Sequence, residues 1–185
     1  MFVCATKGIG MAAAVAGLWC SVPMHAQGRP KASVSVVADA DAVHAGSTVR
    51  LAVQVSLPDA VHVQSNVPRD PMLIGTAVTV QSPPGVTVVN TVYPAATDFT
   101  LAGQATPLSV FEQRFAIGVK LAIAATAPEG SVLTIPIRLR YQACNASTCF
   151  APTREELSLP LRVVPTAVRV TPQQRELFNG LRLPR

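Results

Sequence analysis

Two cysteines, Cys144 and Cys149, stand with four residues between them in the run Tyr-Gln-Ala-Cys-Asn-Ala-Ser-Thr-Cys-Phe-Ala-Pro at 141–152. A close pair of thiols supports two kinds of chemistry. They can close a small structural disulfide, or they can shuttle between dithiol and disulfide through a mixed disulfide with a partner. Closing so short a loop removes little entropy from the unfolded chain, roughly 2 kcal/mol. A tight, exposed disulfide is also the more readily reduced kind. Both arguments favour exchange without excluding the staple. Exchange needs one cysteine that a partner can reach and one that resolves the intermediate. No histidine or lysine is close in sequence to either sulfur, and the nearest cations are Arg138, Arg140 and Arg154. Thiolate activation is therefore unassigned.

Other chemistries find little support. Two cysteines with His44 and His62 make a poor zinc set, since no second Cys-x-x-Cys or His-x-x-x-His occurs. No serine–histidine–acid signature and no Gly-rich phosphate loop stand out. No cofactor and no metal are implied. The chain carries a formal net charge of +5. Its arginines are scattered at strand positions (Arg50, Arg138, Arg140, Arg162), which reads as a solvated face. Nucleic-acid binding would need clustered charge with interleaved aromatics, so it is not expected.

The elements that position the pair read as strands. Val49, Leu51, Val53 and Val55 alternate with Arg50, Gln54 and Ser56. Leu133, Ile135, Ile137, Leu139 and Tyr141 form a second row, and Leu157, Leu159, Leu161 and Val163 a third. A period of two marks half-buried antiparallel strands. Further strands are predicted near 32–39, 61–65, 74–81, 86–92 and 110–123, punctuated by turns at 45–47, 83–85 and 128–130. Short strands with regular turn signals predict an all-β, immunoglobulin-like antiparallel β-sandwich. The cysteines then lie on the connection between the second and third rows, at one end of the sandwich. The segment 65–71 must be a loop because of its prolines. Residues 94–107 form a longer irregular stretch holding Asp98 and Phe99. His62 is expected to be a hydrogen-bonded structural histidine, and Asn66 to cap its own turn.

At the N-terminus, Lys7, an apolar run from Ile9 to Trp19 and small residues to Ala26 fit a secretory signal peptide at 1–26. Its removal takes Cys4 and Cys20, leaving one pair in a disulfide-permissive compartment. An exported, periplasmic protein is expected, with a sandwich domain at 27–165. A tail at 166–185 is expected to fray, with at most a short helix around Gln173–Phe178.

The segment 140–152 resembles the active-site segment of the N-terminal periplasmic domain of the thiol:disulfide interchange reductase DsbD. Val-His-Val-Gln-Ser-Asn-Val-Pro at 61–68, Gly-Val-Thr-Val and Val-Tyr-Pro within 85–94, and Pro-Leu-Ser-Val-Phe-Glu at 107–112 follow in the same order. The resemblance spans roughly residues 32 to 164. It implies that Cys144 and Cys149 are a redox pair that passes electrons to periplasmic thioredoxin-fold proteins of disulfide isomerase or cytochrome c maturation type. By analogy Cys149 attacks the partner. Tyr141, Gln142 and Phe150 match the flanks of the motif and would shape a docking surface. Phe99 with Asp98 is the candidate for an aromatic cap over the disulfide. Members of that family continue into a membrane domain and a thioredoxin-like domain. This sequence has neither, so a separate membrane electron donor is expected. The alternative is a non-catalytic interaction module whose disulfide is a structural hairpin staple.

Overall fold

A computed structural model describes residues 28–101 and 103–183. The predicted signal peptide lies outside the described residues. Eleven strands are described: β1 (Ser33–Ala38), β2 (Thr48–Ser56), β3 (His62–Gln64), β4 (Ala77–Val80), β5 (Val86–Val92), β6 (Thr97–Phe99), β7 (Leu108–Glu112), β8 (Arg114–Ile123), β9 (Val132–Tyr141), β10 (Ala143–Cys144) and β11 (Thr153–Arg162). A short helix, α1, spans Arg175–Gly180. The strands form three antiparallel sheets in the orders β1-β2-β8-β5, β11-β9-β4 and β10-β3-β7-β6. This is the expected immunoglobulin-like β-sandwich.

The alternating rows build the core. Val49, Leu51, Val53 and Val55 of β2 are buried against Ile135, Ile137, Leu139 and Tyr141 of β9, with Ile117, Val119 and Leu121 of β8 in the same cluster. Each such aliphatic side chain contributes about 1.5–3 kcal/mol when fully buried. Two or three of them outweigh the roughly 2 kcal/mol that a six-residue disulfide loop adds. The disulfide is thus a small term beside the burial of the core. The third row is less deeply buried: Leu161 and Val163 lie in the core, while Leu157 and Leu159 pack at its margin.

Twice the chain leaves one sheet for another within a single residue. The stretch 110–123 is not one strand as predicted. It breaks at Gln113, whose φ of 55° is left-handed. On one side β7 pairs with β3 and β6, and on the other β8 pairs with β2 and β5. Neither glycine nor proline marks the break; the Gln113 carbonyl instead accepts the Leu57 N–H at 2.7 Å. The second crossing is at Gln142, between β9 and β10. Within the predicted irregular segment 94–107, Thr97–Phe99 forms the edge strand β6.

The C-terminal segment is not frayed. Phe178 and Leu183 are buried. They cover the outer face of β2 and β8, which explains why Ala52 has no exposure on either side of its sheet. Gly118 makes the close approach possible, because a Cβ there would lie 2.6 Å from Leu183 Cδ1. Arg50, predicted to face solvent, holds Asp39 at 2.7 Å, and its guanidinium carbon sits 5.3 Å from the Phe178 ring centroid. Phe178→Ala is expected to lower unfolding stability by about 3 kcal/mol. An unchanged urea midpoint would show that the tail contributes nothing to the fold.

Candidate functional site

The site is built on the parity of β9. Odd-numbered residues from Ile135 to Tyr141 face the core, and Ala143 of β10 continues that side. Cys144 therefore falls on the opposite side. It pairs directly with His62 of β3, which in turn pairs with Glu112 of β7. Directly opposed residues in a sheet present their side chains to the same face. His62, Gln64 and Cys144 thus share one face of the sheet, while Val63 and Ala143 share the other.

Beyond Cys144 the chain reverses in a tight hairpin. Asn145 N–H donates to the Thr148 carbonyl at 2.9 Å, and Phe150 N–H donates to the Ala143 carbonyl at 2.8 Å. The side-chain oxygen of Asn145 accepts the N–H groups of Ser147 and Thr148 at 2.9 and 2.8 Å. This is an Asx-type turn, in which a short amide side chain replaces a backbone partner. Cys144 and Cys149 face each other across it as an isolated antiparallel bridge, with Cα atoms 4.0 Å apart and a closed disulfide.

The two cysteines differ in exposure. Cys144 is 0% exposed, whereas Cys149 is half-buried. Gln64, itself fully buried, donates its side-chain N–H to Cys144 Sγ at 3.5 Å. Among the described residues, its Oε1 has no hydrogen-bond partner, and neither does Nε2 of the buried His62. The Phe99 ring packs on the His62 ring with centroids 4.1 Å apart. Burial holds His62 below the usual imidazole range, with the Glu112 carboxylate pulling the other way. Beside these groups opens a groove of about 540 Å³, lined by His62, Phe99, Glu112, Arg114 and the loop residue Ala146.

The predicted site residues are dispersed around this hairpin. Cys144 and Cys149 are bonded to each other. Gln142 ties the hairpin to the neighbouring loop: its Oε1 accepts Ile74 N–H at 2.8 Å and its Nε2 donates to the Phe150 carbonyl at 3.2 Å. Phe150 is half-buried at the hairpin exit. Phe99 reaches the site through His62, whereas Asp98 is turned to Arg69 at 2.6 Å. Tyr141 is not on a docking surface. It is an odd-numbered residue of the β9 row, buried in the core, with its hydroxyl accepting Ala32 N–H at 3.0 Å. His62 is buried as expected, but its Nε2 has no hydrogen-bond partner among the described residues. In the turn after β3 the side-chain cap is Ser65, whose Oγ accepts Val67 N–H at 3.2 Å, and Asn66 is exposed. Sequence reasoning passed over Gln64 and Asn145. Gln64 could have been found by its spacing, two residues after His62 on a short apolar strand. Asn145 stands at the head of a four-residue loop, where an Asx turn is favoured.

No protein-family model matches the chain, and no curated protein does. Among solved structures, the N-terminal periplasmic domain of ScsB from Proteus mirabilis is similar over 72% of this chain, with a TM-score of 0.49 and 16% identity. The match spans 49% of the ScsB chain, about half its length. The N-terminal domain of DsbD from Neisseria meningitidis, in its reduced form, is similar over 76% of this chain and 90% of its own, with a TM-score of 0.42 and 13% identity. The GAE domain of yeast GGA1 is similar over 70% of this chain and 99% of its own, with a TM-score of 0.34 and 14% identity. Among the described residues no helix is long and apolar enough to cross a membrane.

The buried imidazole gives the protein a pH signature. Folded His62 is harder to protonate than the unfolded residue, whose pKa is about 6.5. As pH falls below that value the unfolded chain binds the extra proton and stability drops. The loss stops once the folded imidazole is protonated as well. Urea midpoints of the wild type should fall between pH 7.5 and pH 5.5, and His62→Gln should lose part of that slope. Equal slopes in the two proteins would show that His62 does not carry it.

Proposed function

We propose that this chain is a periplasmic thiol–disulfide exchange domain working through Cys144 and Cys149. The observation that carries the reading is the unequal exposure of the two cysteines. Cys149 is half-buried at the base of the hairpin, whose loop residue Ala146 lines a groove, and Cys144 opposite it is fully buried. Exchange needs that division of labour: one sulfur meets the partner while the other leaves and later resolves.

The steps balance as follows. A partner thiolate attacks Cys149 Sγ, a mixed disulfide forms, and Cys144 departs with the electron pair. The partner's second thiolate then attacks the partner's own sulfur in the mixed disulfide. Cys149 is released, and the partner holds the new disulfide. Two electrons have entered this chain, and two protons follow onto its cysteines. In reverse, Cys149 thiolate attacks a partner disulfide and Cys144 resolves it. The partners are thioredoxin-fold proteins of disulfide isomerase or cytochrome c maturation type, with a membrane protein as the electron donor. Phe99 acts as the cap at this end of the sandwich. Its ring packs on His62, the residue paired with Cys144 in the sheet, and in this role it shields the pair from small oxidants. Gln142 and Phe150 border the docking surface.

The reading is tested by trapping. Cys144→Ser leaves the Cys149 sulfur free. It should form a mixed disulfide with a single-cysteine active-site variant of a periplasmic disulfide isomerase. Cys149→Ser should do so at least about tenfold more slowly. The only tryptophan is Trp19, inside the predicted leader, so thiol alkylation and mass shift are the readout. The couple should equilibrate with glutathione at a potential above about −300 mV. If neither variant is trapped and the potential lies well below that value, the disulfide is a staple and the domain a binding module.

A further inference from the structure

We propose that Gln64 is a redox-tuning residue that favours the dithiol form of the cysteine pair by serving Cys144 better after reduction than before it. The inference rests on the exchange chemistry proposed above. It starts from a hydrogen-bonding mismatch in the oxidised protein. Gln64 is fully buried and touches Cys144 Sγ through its Nε2, yet its Oε1 has no partner. Buried polar groups are nearly always satisfied, and the exceptions call for an explanation. Turning the amide over would only exchange the two atoms and leave a donor unmet in place of an acceptor. The mismatch therefore belongs to the site and not to one orientation of the side chain.

Reduction changes what Cys144 offers. A disulfide sulfur carries no proton and is a weak acceptor. When the bond to Cys149 breaks, Cys144 leaves as a thiolate, and a hydrogen bond to a charged acceptor is roughly twice as strong as one to a neutral acceptor. The Gln64 N–H is already in place to make it. Once protonated, the freed sulfur can turn and present an S–H to an acceptor on the same face, where Gln64 Oε1 is unfilled. His62 Nε2, two residues away on that face and opposite Cys144 in the sheet, is a second unfilled site. Both protonation states of the reduced cysteine thus gain hydrogen bonds that the disulfide lacks. No cation is needed for this, which fits a site without lysine or histidine adjacent in sequence to either sulfur.

The test is the exchange equilibrium of the full chain with glutathione, read by alkylation and mass shift. Gln64→Met keeps length and apolar bulk but removes donor and acceptor together. Its constant for forming the Cys144–Cys149 disulfide should rise about tenfold, equivalent to about 30 mV toward the more reducing side. A residue that merely fills space would destabilise both redox forms alike and leave this constant unmoved. An unchanged constant in the folded variant overturns the proposal. Should Gln64→Met not fold, the wild type supplies the second measurement. The Gln64 side-chain amide resonances of ¹⁵N-labelled protein should shift on reduction, and their failure to move overturns the proposal equally. Trapping separates this inference from the reading beneath it. A shifted constant without a trapped partner keeps Gln64 and removes the relay. A trapped partner with an unshifted constant does the reverse.

Discussion

A strand alternates sides, and β9 keeps that alternation as it passes through Gln142 into β10. Everything at the functional end follows from this one constraint. Because Tyr141 and Ala143 must face the core, Cys144 must face away from it. It is buried all the same, because β3 runs alongside and brings His62 and Gln64 to the same face. A shift of one residue in either strand would send a cysteine into the hydrocarbon interior and a valine outward. The aliphatic rows fix the register, so the disulfide inherits its position from packing on the opposite face of the strands.

The sheet carrying the cysteines has two unlike faces. On the inner one, Val63, Phe111 and Ala143 join the common core. On the outer one, the buried His62 Nε2 and Gln64 Oε1 have no hydrogen-bond partner among the described residues. Such a layer is costly to maintain if nothing uses it, since an unmet buried polar group costs about 1–3 kcal/mol. The large core can tolerate that cost. The hairpin itself is held independently, by Asn145 within the loop and by Gln142 at its base.

Much of this was legible in the sequence. The rows at 49–55 and 133–141 announce their buried faces through strict alternation, and the close cysteine pair at the end of the second row marks the site. What stayed hidden is non-local. The break at Gln113 has no glycine or proline to signal it, because the reversal is fixed by pairing with strands far away in sequence. The tail reads as polar and short, and its anchoring depends on Gly118 leaving room for Leu183 and on Arg50 lying beneath Phe178. Tyr141 reads as part of the cysteine motif, yet its parity assigns it to the core. Parity should have outweighed proximity there. His62 could be placed in a strand, but its unmet nitrogen depends on what covers it.

The separation of contacts along the chain has a kinetic side. The central pairing of the large sheet joins β2 to β8, with Leu51 opposite Val119 and Val49 opposite Leu121. Such distant pairings close slowly, because a long loop must be ordered before any contact rewards it. The cysteines are five positions apart and meet within a hairpin of their own. Bringing them together needs only a local turn to close, not the distant pairings of the sandwich. The crosslink thus ties together residues that are already neighbours in the chain, while the distant parts of the fold are joined by strand pairing alone.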